Sequence, residues 1–430
     1  MKLCLGRAGL IMLLFSLFSC AHRDAARDAL ALAQSVDALW QGSVLITGLG
    51  IGRDRPGEAE KIWVAAGREV SSLGAGGNLE LEWTAPRFSR ILRMEVGDLN
   101  ADGSDEWLIL IDAGTPRSFV VGLDEGRRQP LCRPWNGYLR MVPKEDGGVT
   151  LYSQSSVTSR PFYGPVYEMA WDEDGQLKRG AAVSLPRGIA LYDYFVAPGA
   201  AAEPRVFSLE RTGHLAERDP RSPASRIWRS DHAFLARPVE FERDVRGYFG
   251  EQDEERIRLS APVHVLPAGS DGTFELLTVG RPPPPTVVFE ELRFYEGGDV
   301  RLLASQPRGV VELRRSPLFG RQVVAVAPWT APSGRRLWVA AVWTRVRTLF
   351  SKSESRILAL DPVNADLLPA ALAWQSAGSG DSALSTADEV SVTSEQLEES
   401  QAAVPVDATD PPQPQELQEQ QESPVGSTQE

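Results

Sequence analysis

Short β-type runs recur along this chain at a loose period, and that recurrence restricts its fold more than any other feature. From Ser43 onward, apolar runs are separated by Gly, Pro, Asp and Asn, as in Ile62–Ala66, Leu79–Trp83, Ile91–Val96, Glu106–Ile111, Phe274–Val279, Val287–Phe294 and Leu337–Val342. Alternation in Leu79-Glu80-Leu81-Glu82-Trp83 sets the glutamates on the face opposite Leu79, Leu81 and Trp83. Leu337–Val342 is apolar on both faces and suits a strand covered on both sides. Strands do not alternate with long helices, which argues against a parallel α/β fold. Units begin near Val44, Ile91, Gly137, Ile189, Ile257 and Val310, at intervals of 47, 46, 52, 68 and 53 residues. Four-stranded propeller blades run about 40–50 residues, and insertions lengthen them. The expectation is an all-β fold, a β-propeller of six or seven four-stranded blades over residues 43–370. A seventh blade would arise if the N-terminal strand paired with the last one. The long fourth interval holds the charged stretch Arg237–Arg258, which reads as a solvated excursion over one rim.

Both flanks depart from this pattern. Lys2 and Arg7 precede an apolar run from Leu10 to Phe18 that is too short to span a membrane, so residues 1–19 read as a signal peptide. The run ends in Leu17-Phe18-Ser19-Cys20, which resembles a bacterial lipobox with Phe18 in place of the usual small or β-branched residue. That resemblance implies lipidation of Cys20, a membrane tether, and residence in the bacterial cell envelope as an outer-membrane lipoprotein. An ordinary secretory signal cut nearby would instead leave a periplasmic or secreted protein. Residues 20–42, alanine-rich with Leu30, Leu32 and Leu39, read as a short helix or tether. At the other end, Asp381–Glu430 holds twelve acidic residues and no Lys or Arg, with Pro411, Pro412 and Pro414 among Gln and Glu. Such a segment cannot offset its ordering entropy, so 371–430 is expected to be an acidic disordered tail. It accounts for all but about −1 of the net charge of −13, and the remainder has no basic patch for nucleic acid. Outside the signal and lipobox the one thiol is Cys132, which has no partner for an internal disulfide.

The stretch that carries chemistry runs from Val96 to Glu106. Side-chain oxygens fall at Asp98, Asn100, Asp102 and Glu106, the Ser104 carbonyl can turn inward, and Gly103 permits a sharp turn. Calcium takes six to eight oxygens in flexible geometry, and convergent carboxylates repel one another unless a cation neutralises them. The twelfth position of the loop is Ile109, where an EF-hand places a bidentate Glu, and strands rather than helices flank it. The stretch resembles the acidic strand–loop–strand motif of FG-GAP/VCBS repeats, with Glu106 where Asp is commoner. The resemblance implies a Ca2+-binding turn in one blade of an integrin-type or bacterial secreted propeller. Asp98, Asn100, Asp102, Ser104 through its carbonyl, and Glu106 would be the metal ligands. The plain alternative is an acidic turn without a metal. Other units lack the ladder: Asp172–Gly175 and Asp271-Gly272 read as hairpin turns.

No catalytic set emerges from the residue pattern. His22 falls in the tether, and His214, His232 and His264 show no metal-binding spacing. Gly48-Leu49-Gly50-Ile51-Gly52 lacks the Lys-Ser/Thr of a phosphate loop. Tryptophans such as Trp83, Trp171 and Trp228, at expected outer turns, are assigned to packing between blades rather than to a sugar-binding cleft. The expected function is a membrane-tethered extracytoplasmic binding or scaffold protein with a structural calcium site, engaging an envelope protein or polysaccharide. The alternative is a carbohydrate-active or other hydrolytic enzyme on a propeller face. It would need two converging acids about 5–9 Å apart, for which Asp244, Asp253 and Glu254 are available.

Overall fold

In the computed structural model, each recurrent unit forms an antiparallel sheet whose strands follow one another in chain order, as short hairpin connections require. The structure describes residues 38–368 except 145–147, 158–159, 184, 186–188, 200–203, 211–212, 220, 223–224, 234–238, 247–251, 261, 269–271, 281–297, 320–321, 345–353 and 364–365. The signal peptide, Cys20, most of the tether, the acidic tail and the run Val287–Phe294 therefore lie outside the described residues.

The chain enters at β1 (Trp40–Gly42), so the end of the expected tether is a strand. Blade 1 is β2 (Ile46–Gly52), β3 (Lys61–Ala66), β4 (Glu69–Leu73) and β5 (Leu79–Thr84). Blade 2 is β6 (Arg90–Gly97), β7 (Glu106–Asp112) and β8 (Pro116–Asp124), with an outer edge shared by β9 (Arg127–Pro130) and β10 (Trp135–Asn136). Blade 3 is β11 (Tyr138–Pro143), β12 (Val149–Val157), β13 (Arg160–Trp171) and β14 (Leu177–Val183). Blade 4 is β15 (Tyr194–Ala197), β16 (Arg205–Leu209), β17 (His214–Arg218) and β18 (Arg226–Ala233). A separate hairpin, β19 (Val239–Arg246) and β20 (Gln252–Leu259), precedes blade 5. Blade 5 is β21 (His264–Pro267), β22 (Phe274–Gly280), β23 (Asp299–Ser305) and β24 (Val310–Arg315). Blade 6 is β25 (Gln322–Thr330), β26 (Arg336–Thr344) and β27 (Glu354–Leu360), whose edge pairs with β1 and with β28 (Leu367–Leu368).

Six blades form a closed propeller, and the packing shows why. Each junction between neighbouring blades has its own buried apolar cluster among the described residues. Trp63 and Ile91 belong to the cluster between blades 1 and 2, Leu108 and Leu151 to that between 2 and 3, and Tyr138 and Tyr194 to that between 3 and 4. Phe207 and Phe274 join blades 4 and 5, Val279 and Trp338 join 5 and 6, and Trp329 and Ile62 join 6 to 1. Leu337 to Val342 is buried along its whole length, as a strand with a blade on either side must be. β1 completes blade 6 rather than opening a seventh: Trp40 pairs with Ile357, and the Leu39 amide donates to the Ile357 carbonyl at 2.8 Å.

Three expectations need correction. The unit starts at Ile257 and Val310 fall in the β19–β20 hairpin and the outer strand β24, because the insertion shifts the count; the innermost strands begin at His264 and Gln322. Leu81 is 61% exposed, since a bulge where β5 pairs with Val70 and Ser71 breaks the alternation read from Leu79 to Trp83. Trp171 is 39% exposed and does not fill a blade junction, whereas Trp83 and Trp228 do pack on apolar clusters.

Candidate functional site

The acidic loop joins β6 to β7, the two innermost strands of blade 2, so its ends are fixed by a strand ladder that closes at Gly97 and Glu106. Ala101 and Gly103 adopt positive φ, 60° and 83°, which folds the loop back on itself. Its side chains accept the amides this turn leaves unpaired. Asp98 accepts from the amides of Asp102 (3.2 Å) and Gly103 (2.8 Å), Asn100 from Asp102 (3.0 Å), and Asp102 from Ser104 (2.7 Å). The last of these bonds contributes most to holding the Asp102 carboxyl below the usual range. Glu106 is buried, with one oxygen accepting from the Leu99 amide at 2.8 Å. Burial, then repulsion from Asp102 and Asp98, pushes its carboxyl up to about 7. The loop therefore gathers mutually repelling acids, although among the described residues no three carboxylate, imidazole or thiol groups meet at metal-ligating distance.

Asp105 neither points to solvent nor joins the ladder. Its carboxylate accepts from the Arg53 amide at 2.6 Å, and its own amide donates to the Arg53 carbonyl at 2.9 Å, tying the loop to blade 1. Burial raises its carboxyl. Below the loop, the buried Arg128 guanidinium lies over Trp63 and Trp107, 5.0 and 4.4 Å from their ring centroids. It donates to the Asp105 carbonyl at 2.7 Å and pairs with Asp54, which also pairs with Lys61. Nothing in the sequence spacing marks Arg128, because its partners come from two blades.

The second polar assembly lies on the propeller axis. Arg93 Nε donates to Glu95 at 2.6 Å, and Glu95 accepts from the Met141 amide at 2.7 Å. Arg140 donates to the carbonyls of Leu191 and Tyr194, and Tyr192 donates its hydroxyl to Leu139 at 2.7 Å. His264 keeps a partly accessible edge, yet its burial lowers the imidazole to about 4. The signal that could have revealed the arginines is a small internal repeat, Ile91-Leu92-Arg93-Met94 and Tyr138-Leu139-Arg140-Met141. Leaving the hairpin, the chain turns onto the axis. Arg93 donates to the Ser260 carbonyl at 2.7 Å, and Ser260 donates to Asp193 at 2.6 Å. Leu259, Ser260 and Pro262 line, with Thr47–Leu49, Leu92–Met94 and Val324–Ala325, a cavity of about 10 Å³, room for one water.

The ladder residues Asp98, Asn100, Asp102, Ser104 and Glu106 thus share one loop, while the two histidines whose side chains are described, His214 and His264, have separate partners. His214 bonds the Ser230 carbonyl on blade 4, far in the chain from His264, and the side chain of His232 lies outside the described residues. The side chains of Asp244, Asp253 and Glu254 do so as well; their backbone belongs to the β19–β20 hairpin. Cys132 is partly buried against the cluster between blades 2 and 3, and burial raises its thiol.

No protein-family model matches the chain, and no curated protein matches it. Solved structures similar to it include a protein of unknown function from Bacteroides caccae (13% identity, 63% of this chain and 82% of that one, TM-score 0.32). Others are the Dos1 propeller (12%, 78% and 75%, TM-score 0.32) and AofleA from Arthrobotrys oligospora (10%, 76% and 88%, TM-score 0.40). The fold is read from the sheets themselves, whose order and closure make this chain a six-bladed β-propeller.

Proposed function

We propose that this protein is a binding or scaffold module of the bacterial cell envelope, tethered through Cys20, that offers the rims of a rigid propeller to a protein partner or polysaccharide. The observation that carries the binding reading is the segment with Leu259, Ser260 and Pro262, which stands against the innermost strands of blades 1, 2 and 6 and leaves a space there of about one water, too small for a polysaccharide chain. The connecting loops of the rims are the surface this reading uses. Support for a Ca2+ brace is chemical. Asp98, Asn100, Asp102, the Ser104 carbonyl and Glu106 form a hard-oxygen donor set on one turn, and the Glu106 carboxyl is destabilised as an anion first by burial and then by its acidic neighbours. A bound cation would neutralise that repulsion. The test of the binding role is photo-crosslinking in the native host, with the reactive side chain placed at Thr115 on one rim and Arg308 on the other. Adducts of defined mass from either rim support it; their absence from both, with cleavage of an envelope polysaccharide by the purified protein, would replace it with the hydrolytic reading.

A further inference from the structure

We propose that Phe88, standing among Arg68, Arg87, Arg90 and Arg117 on the rim where blades 1 and 2 meet, anchors a docking surface for an acidic peptide segment of a partner protein. This rests on the binding role proposed above and gives it a location. Phe88 lies in the connection from β5 to β6; it is 98% exposed and has φ of 60°. That is the left-handed region, which an aromatic residue rarely occupies. The turn around it is fixed rather than frayed. The Ala85 amide donates to the Arg68 carbonyl at 2.8 Å, the Ser89 hydroxyl to the Pro86 carbonyl at 2.7 Å, and the Ile91 amide to the Gly67 carbonyl at 2.6 Å. Backbone strain that holds a large apolar side chain in solvent points to a use for that side chain.

The surroundings indicate what the partner carries. Strand alternation brings the β3–β4, β5–β6 and β7–β8 connections to one rim. Residues 66–69, 85–90 and 112–117 there contribute Arg68, Arg87, Arg90 and Arg117 against two acids, Glu69 and Asp112, and no lysine. Arg90 reaches Asp112 at 3.4 Å while its side chain stays about half exposed. This cationic patch belongs to a chain of net charge −13. Aromatic and arginine side chains are enriched at protein interfaces and lysine is depleted. Four arginines only reach the lower end of the polybasic clusters of about four to eight residues that hold anionic lipid, and the two acids among them, Glu69 and Asp112, weaken that attraction. An acidic segment with an apolar residue to cover Phe88 fits both properties.

The experiment selects ligands from a random displayed peptide library on the full chain and measures the recovered peptides by fluorescence anisotropy. The expected peptides carry Asp or Glu beside an apolar residue, and bind Phe88→Ala and Arg87→Glu roughly tenfold more weakly, as loss of a hot-spot contact does. Phe88→Gly should lose binding equally while melting no lower than wild type. Phe88→Gly melting lower would make Phe88 a packing residue and overturn the proposal. Failure to recover acidic peptides would overturn it too, as would Phe88-dependent capture by phosphatidylglycerol vesicles but not by peptides. Peptides that bind Phe88→Ala undiminished would end this assignment yet leave the binding role standing at another rim site; failure of the rim crosslinks as well would end both.

Discussion

Arg93 and Glu95 form a pair that is almost shut off from solvent, with side chains 9% and 13% exposed. Breaking such a pair leaves a buried charge uncompensated, whereas removing both partners costs much less. Arg93→Met should therefore lower stability by about 3 kcal/mol in urea unfolding, and adding Glu95→Gln should recover a good part of it. Strictly additive losses would show that the two side chains do not act as a pair. His264 belongs to the same axis, and its lowered pKa has a definite sign. Protonation is easier in the unfolded chain, where histidine titrates near 6.5, than in the fold, where it titrates at about 4. The contribution is complete above pH 6.5 and is lost as pH falls through 4; with about 1.4 kcal/mol per pKa unit, it amounts to roughly 3–4 kcal/mol. Between pH 7.5 and 4.5, wild type should lose more urea stability than His264→Gln. Parallel losses would mean that His264 is as well solvated in the fold as in the open chain.

At the scale of single elements, the acidic loop was legible because its oxygens are local, set at alternate positions before a glycine. What supports it was not. Arg128 reaches it from β9 and Asp54 from the β2–β3 connection, partners that come together only when blades 1 and 2 pack. Asp105, adjacent to Glu106 in sequence, turns out to be a tie to Arg53. Calcium binding to the folded chain alone raises stability as RT ln(1 + [L]/Kd), about 2.7 kcal/mol at a hundredfold excess over Kd. Thermal unfolding in millimolar calcium against chelator should show that gain, and Asp98→Ala should abolish most of it. Magnesium should substitute poorly, because it demands tighter octahedral geometry. A wild-type melting temperature indifferent to calcium, with no heat of binding in calorimetry, would reduce the loop to a turn. Asp105→Ala should leave the calcium response and instead loosen the junction of blades 1 and 2, lowering stability with or without the ion.

For the whole molecule, the number of blades was ambiguous in the sequence because spacing cannot reveal what an end strand pairs with. β1 is three residues long and lies beyond any repeat boundary, and β28 adds two residues from the other end of the fold. Both dock on β27, β1 along Ser355–Ile357 and β28 along Ala359–Leu360, so the last blade is closed by segments more than 320 residues apart. Closure is then a property of the whole ring, and β1 should be worth more than its length. Leu39, just before it, is 2% exposed in the cluster joining blades 6 and 1, and burying one leucine contributes about 2–3 kcal/mol. A chain beginning at Ala38 should unfold in urea at the same midpoint as the full-length chain. One beginning at Ser43 should lose about 3 kcal/mol or more, since it forfeits Leu39 and the β1 ladder together. It should also aggregate, because the bared edge of β27 becomes a template for another strand. Equal midpoints for the two chains would mean that three strands close the sixth blade unaided, and that β1 only covers an edge the ring can leave open.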